Sequence, residues 1–150
     1  MSLKHSGINR LAYVRYSLDD PKLEKTRIFY KEKLGLMETS STQSSLQMRC
    51  WHEPYAFTTM IESSSSPRLT EIGFQVRDSK DLVDLKLKIE SAGVLIRSEE
   101  DGVVNGVGES IVFTVPHGPQ LRLFYAMKQL GYPTGHVSPD WVTPKSIRGT

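Results

Sequence analysis

Between Leu11 and Leu18 the chain alternates: Ala12, Val14, Tyr16 and Leu18 interleave with Leu11, Tyr13, Arg15 and Ser17. A period of two is the pattern of a half-buried strand. Asp20 follows where a helix N-cap acceptor is wanted, and Pro21 stands at the first helical position, where its missing N–H costs nothing. Leu23, Thr26, Tyr30 and Leu34 then recur at helical spacing, and Gly35 supplies a left-handed terminator. Short strands are predicted at 36–40, 46–51 and 56–62. The succession then repeats: a strand over 69–76, a cap at Asp78 or Ser79, and a stripe of Leu82, Leu85, Ile89 and Ala92 closed by Gly93. Strands at 94–98, 110–115 and 120–125 follow. The polar stretches Thr39–Ser45, Ser63–Pro67 and Glu99–Gly108 separate them as turns.

The two passages align without a gap. Val14 falls on Ile72, Tyr16 on Phe74, Leu18 on Val76, Asp20 on Asp78, Phe29 on Leu87 and Gly35 on Gly93, always 58 residues apart. This internal repeat predicts an α+β fold of two tandem βαβββ modules, about 8–62 and 68–126, within one domain over 1–126. Helices would cover one face of each sheet and leave the other to curve around a cleft. Residues 127–150, rich in Pro and Gly and without periodicity, read as an extended tail or a linker toward a second domain.

Composition narrows the setting. With 150 residues, 38% hydrophobic, 24% charged and a net charge of +2, the chain has ordinary globular proportions. Lys22, Lys25, Lys31 and Lys33 cluster on a helix that also carries Glu24 and Glu32, which is a solvated face and no nucleic-acid footprint. One cysteine, Cys50, excludes an internal disulfide and suits a reducing cytoplasm. No apolar run approaches the roughly 20 residues that span a bilayer, and the start lacks a signal-peptide core, so no membrane partner is expected.

The paired βαβββ pattern resembles the vicinal oxygen chelate superfamily, with its glyoxalase, bleomycin-resistance and extradiol dioxygenase (dihydroxybiphenyl dioxygenase) members. The likeness covers about residues 8–126. It is most specific in Leu-Ala-Tyr-Val-Arg-Tyr-Ser-Leu-Asp-Asp (11–20), Phe-Tyr-Lys-Glu-Lys-Leu-Gly-Leu (29–36) and Val-Pro-His-Gly-Pro-Gln-Leu-Arg-Leu-Phe-Tyr (115–125). Within the superfamily it is most similar to the amino-terminal domain of catechol 2,3-dioxygenase-type enzymes. There a Trp-bearing third strand (compare Arg49-Cys50-Trp51) and a tail like residues 137–149 also recur. That resemblance implies a second, homologous domain that holds the iron.

Alternation assigns faces to individual residues. If Val14, Tyr16 and Leu18 face the helix, Tyr13 and Arg15 face the cleft; likewise Ile72, Phe74 and Val76 against Glu71, Gly73 and Gln75. On the last strand Leu121, Leu123 and Tyr125 are core and Arg122 and Phe124 face the cleft. The cleft-facing set is thus Tyr13, Arg15, Met60, Glu71, Arg122 and Phe124. By resemblance, the iron ligands of a catalytic domain (two His and one Glu) fall at the positions of Tyr13, Glu71 and Arg122. An arginine keeps its proton and repels a metal, and Glu71 facing Arg122 is better placed for an ion pair. No metal or other cofactor is therefore expected on this domain, and no catalytic residue.

The remaining chemistry is bland. His5 falls in an expected disordered start, His52 in a strand-end turn, His117 in a hairpin turn and His136 in the tail, with no ligand spacing among them. Cys50, mid-strand beside Trp51, reads as a buried packing residue. The glycines of 101–108 precede a strand and form no phosphate loop, and Glu99-Glu100 lies in a polar loop. The leading expectation is the non-catalytic amino-terminal domain of a type I extradiol ring-cleaving dioxygenase. The full-length enzyme would use Fe(II), and its partners would be a homologous domain or a second copy and a small catecholic substrate. The alternative is a freestanding bleomycin-resistance-like binding protein, homodimeric and metal-free. A glyoxalase-like metalloenzyme needs carboxylate or His ligands that the matched positions mostly lack.

Overall fold

The computed structural model describes residues 7–132. In chain order the elements are β1 (Ile8–Leu18), α1 (Glu24–Ile28), β2 (Met37–Ser41), β3 (Ser45–Arg49), β4 (Thr59–Ser63), β5 (Arg68–Val76), α2 (Ser79–Ser91), β6 (Arg97–Glu99), β7 (Ser110–Thr114) and β8 (Gln120–Phe124). The architecture is α+β, with few helices and mixed strand pairing. Two compact units divide the described chain, residues 7–14 with Thr70–Lys128, and Arg15–Leu69 with 129–132. The division falls inside β1.

In the unit containing Thr70–Lys128 the strand order is β1-β5-β8-β7-β6. β5 and β8 run parallel with Gly73 beside Arg122, while β7 pairs antiparallel with both β8 and β6. α2 forms because Asp78 caps it, its carboxylate accepting from Asp81 N at 2.9 Å, and Gly93 at φ 80° ends it. Its Leu82, Leu85 and Ile89 close over Phe74, Val76, Ile111 and Leu123. Phe74, Val76 and Leu123 thus face the helix as alternation assigned, but Tyr125, expected in the core, is 37% exposed just past the end of β8, and Ala92 is exposed beyond the last turn of α2.

In the unit containing Arg15–Leu69 the order is β2-β3-β4-β1. Its core is Leu23, Leu46, Met48 and Ile61, flanked by Tyr16, Leu18, Tyr30 and Leu36. The first helix departs from expectation. Asp20 and Pro21 precede it in a turn closed by Leu23 N to Asp20 O (3.0 Å), and Leu23 takes a left-handed conformation at φ 54° as the N-cap. Burying the Leu23 side chain at 1% exposure outweighs the local cost of that backbone. Asp20 still satisfies the helix start, from further back: its carboxylate accepts from Thr26 N and Thr26 Oγ1, both at 2.9 Å. After Ile28 the coil widens over Phe29–Lys33, where Leu34 N reaches Phe29 O.

β1 and β5 run further than the pattern suggested, while β3, β4, β6, β7 and β8 are shorter. β3 stops at Arg49, so Cys50 opens a turn (Glu53 N to Cys50 O, 3.3 Å) and is exposed, which corrects its expected packing role. β6 begins only at Arg97, and it takes Glu99 out of the expected loop and onto a strand.

Candidate functional site

The parallel register of β5 and β8 builds the most ordered polar cluster of the Thr70–Lys128 unit. Glu71, Gly73 and Gln75 share one face of β5, and Gln120, Arg122 and Phe124 share that face of β8. Because Arg122 lies directly beside Gly73, which has no side chain, two things fill the space. The Tyr13 ring occupies the place of the missing side chain, and the Arg122 guanidinium reaches diagonally to Glu71.

Arg122 Nε donates to Glu71 Oε1 at 3.0 Å and Nη2 to Oε2 at 3.3 Å. Nη1 turns the other way and donates to Glu99 Oε2 at 2.6 Å. The Tyr13 hydroxyl donates to Glu71 Oε1, and Gln120 Nε2 donates to Oε2. Arg97 holds the far oxygen of Glu99 at 2.7 Å. Tyr13, Glu71 and Arg122 are each exposed by 2% or less. Tyr13 also stacks on buried Phe124, their ring centroids 6.0 Å apart.

Burial pushes the Glu71 carboxyl up, yet the Arg122 and Tyr13 hydrogen bonds, the Arg122 charge and Gln120 together outweigh it, holding Glu71 below the usual carboxylate range. Glu99 behaves alike: burial raises it, and its bonds to Arg122 and Arg97 bring it down. Burial loosens the proton of Arg122, but the Glu71 hydrogen bond and charge more than reverse this and hold it above its ordinary value. All three groups are therefore ionised at neutral pH.

A pH dependence follows. Both carboxylates have folded values below their unfolded ones, so their contribution to stability is complete above the ordinary value of 4.5 and is lost as pH falls through the folded values. Denaturant unfolding followed from pH 6 to pH 3 is expected to show stability falling once pH drops below about 4.5. Glu71→Gln is expected to flatten that slope. An unchanged slope in E71Q would show that Glu71 is not the group responsible.

This donor set does not fit a divalent metal. Glu71 accepts four hydrogen bonds, which fills its lone pairs, and the third position is held by a fixed cation. Among the described residues, no three His, Cys, Asp or Glu side chains converge as a metal site requires.

Of the six residues singled out from sequence, Tyr13, Glu71, Arg122 and Phe124 meet in this cluster. They are buried, so the face that alternation assigned to a cleft is filled at these four positions. Arg15 and Met60 lie in the other unit and are half-buried, Arg15 paired with Glu62 at 2.6 Å and Met60 beside Gln47 on β3. Sequence reasoning missed Glu99, Gln120 and Arg97. The available signal was the spacing of Arg97 and Glu99, two apart and hence on one face once β6 is recognised as a strand. His52 lies in a turn and stacks on Tyr132, and His117 occupies the β7–β8 hairpin at φ 58°. His5, His136 and the tail residues 137–149 lie outside the described residues.

In the other unit Arg49 is 7% exposed and ties down the segment that follows β8. Its Nη1 donates to Glu53 O at 3.0 Å and Gly131 O at 2.7 Å, while Leu130 N reaches Pro54 O.

Comparison with known proteins places this geometry. Residues 71–129 match the family described as the catechol 2,3-dioxygenase-like N-terminal domain. The metapyrocatechase of Geobacillus stearothermophilus is 30% identical over 121 residues, which are 81% of this chain and 36% of that protein. A manganese-dependent 2,3-dihydroxybiphenyl 1,2-dioxygenase of Geobacillus genomosp. 3 is 23% identical over 122 residues, covering 81% of this chain and 39% of the relative. The solved structure of an extradiol ring-cleaving dioxygenase from B. fuscum superposes with a TM-score of 0.79 at 23% identity, over 89% of this chain and 36% of that one. The fold is that of the extradiol dioxygenases, the vicinal oxygen chelate fold. The chain spans little more than a third of the length of these curated relatives.

Proposed function

We propose that the chain is the non-catalytic amino-terminal part of a type I extradiol ring-cleaving dioxygenase. The enzyme opens a catecholic ring with dioxygen and Fe(II) held in a homologous carboxy-terminal domain. The observation that carries this reading is the Tyr13–Glu71–Arg122 cluster: where a catalytic domain of this fold needs metal ligands, this unit has a saturated ion pair. The match of residues 71–129 to an amino-terminal domain model, and the similarity to 36% of a longer metapyrocatechase, support it.

On this reading the two βαβββ stretches form one domain, and residues from 127 onward lead to the iron-bearing half. Arg49 and the Cys50–Tyr55 turn hold the chain where it passes through residues 129–131. The role of this half is to pack against its homologous partner domain and to take part in homo-oligomer contacts, in a cytoplasmic enzyme of aromatic catabolism. Among the described residues, no helix is long and apolar enough to cross a membrane. The rival, a freestanding ligand-binding module, needs an open cleft, and four of its six proposed contact residues are buried and engaged with one another.

The experiment is direct. The 150-residue chain, incubated anaerobically with Fe(II) and then with catechol in air, is expected to give no ring-cleavage product. Joined to a carboxy-terminal domain of a similar dioxygenase, it is expected to support turnover. Ring cleavage by the 150-residue chain alone, abolished in Glu71→Gln, would overturn the proposal.

A further inference from the structure

The misfit between this cluster and a metal has a definite geometry. Two carboxylates from different strands, Glu71 on β5 and Glu99 on β6, are bridged by one positive group, with Nε and Nη2 of Arg122 on the first and Nη1 on the second. A divalent ion between the same groups would face the same atoms: both oxygens of Glu71, Oε2 of Glu99 and the hydroxyl of Tyr13, which is an all-oxygen set. We propose that Arg122 is a resident cation occupying a latent divalent-cation site, so that the protein is metal-free here because its own side chain fills the place of the ion. The inference shares with the proposed function only the reading that this unit binds no metal. Its test measures cation binding and not ring cleavage, so the two fail separately.

Charge balance supports the assignment. Side chains at Glu71, Arg122 and Glu99 are 1%, 3% and 12% exposed, and without Arg122 two carboxylates would share a largely dry site. One would then take up a proton or recruit a cation. Arg97, 61% exposed, neutralises only the outer edge of Glu99. Each bond that Arg122 makes is thus one that a bound ion replaces: a lone pair on each oxygen of Glu71 and one on Glu99.

The test is Arg122→Ala with manganous ion as the probe. R122A is expected to bind one Mn(II), seen by loss of the free-ion electron paramagnetic resonance signal. Its melting temperature is expected to rise by about 5–10 °C at a hundredfold excess over the dissociation constant. Low-millimolar guanidinium is expected to give a smaller rise in R122A, and neither ion a rise in the native chain. The double variant R122A/E71Q is expected to lose the Mn(II) response, which separates this site from adventitious surface binding. Folded R122A that responds to neither ion overturns the proposal, as does a native chain that binds Mn(II) as tightly as R122A does. If R122A does not fold unaided, refolding promoted by Mn(II) or guanidinium supports the assignment, and failure of both ions to promote refolding overturns it.

Discussion

Glu71→Leu is expected to lower the stability of the chain by about 3–5 kcal/mol, the cost of leaving the charge of Arg122 buried without its main partner. Glu71 lies 1% exposed and takes two bonds from Arg122 and one each from Tyr13 and Gln120, so its removal also strands two neutral donors. Arg122→Met alone is expected to cost a similar amount, because Glu71 then has only neutral donors. The double variant E71L/R122M is expected to cost less than the sum, because it removes both members of the most buried pair and leaves only Glu99, which keeps Arg97 as a partner. Equilibrium denaturation of the four proteins measures the coupling. Additive losses would show that the two side chains act independently and that the pair is not the organising contact of this unit. Tyr13→Phe, which removes one donor and keeps the ring, is expected to cost about 1 kcal/mol.

The second large effect is expected at Gly73. A Cβ built there would lie 2.2 Å from Tyr13 Cε1 and 2.5 Å from Cδ1. Real side chains never approach so closely, and the ring, 1% exposed and stacked on Phe124, has nowhere to retreat. Gly73→Ala is therefore expected to destabilise by about 3 kcal/mol, an over-packing cost at the upper end of the usual range. The conformation is not the reason, since Gly73 has no left-handed backbone; the cost comes from occupied space. In a Tyr13→Ala background the same substitution is expected to be nearly neutral, or to gain the roughly 0.5–1 kcal/mol that Ala holds over Gly in a strand. Should Gly73→Ala cost the same in both backgrounds, close packing of the Tyr13 ring is not what requires glycine. Both effects have one origin, the register that sets Gly73 directly beside Arg122.

Much of this site was legible beforehand. Alternation is a covalent property of an extended chain, so it alone says that Tyr13, Glu71 and Arg122 leave their strands on the faces opposite those of Tyr16, Phe74 and Leu123. The internal repeat then says that Tyr13 and Glu71 occupy corresponding places, and unlike charge makes an ion pair of Glu71 and Arg122. Asp78 and Gly93 likewise behave as local chemistry requires, since a cap and a terminator act within a few residues of themselves. Asp20 and Pro21 carry the same local signal but stand ahead of the helix, so that Asp20 reaches Thr26 from further back while Leu23 takes the N-cap position. The gain from burying Leu23, a contact with Leu46, Met48 and Ile61 far along the chain, moved the start of the helix.

What only the tertiary structure decided has the same character. That Glu99 joins the network depends on where β6 begins and on its pairing Arg97 with Val112 and Val112 with Arg122, a chain of registers that no local pattern encodes. That Cys50 is exposed depends on β3 ending at Arg49, two residues before the expected strand end, at the turn that carries Trp51 and His52. Whether the face opposite the helices was an open cleft or a filled one depended on how far a tyrosine ring and a guanidinium reach across a glycine. Faces follow from alternation along a single strand, and the sequence determines them. Registers, strand ends and the filling of space depend on contacts between residues far apart in the chain, and those the fold alone decides.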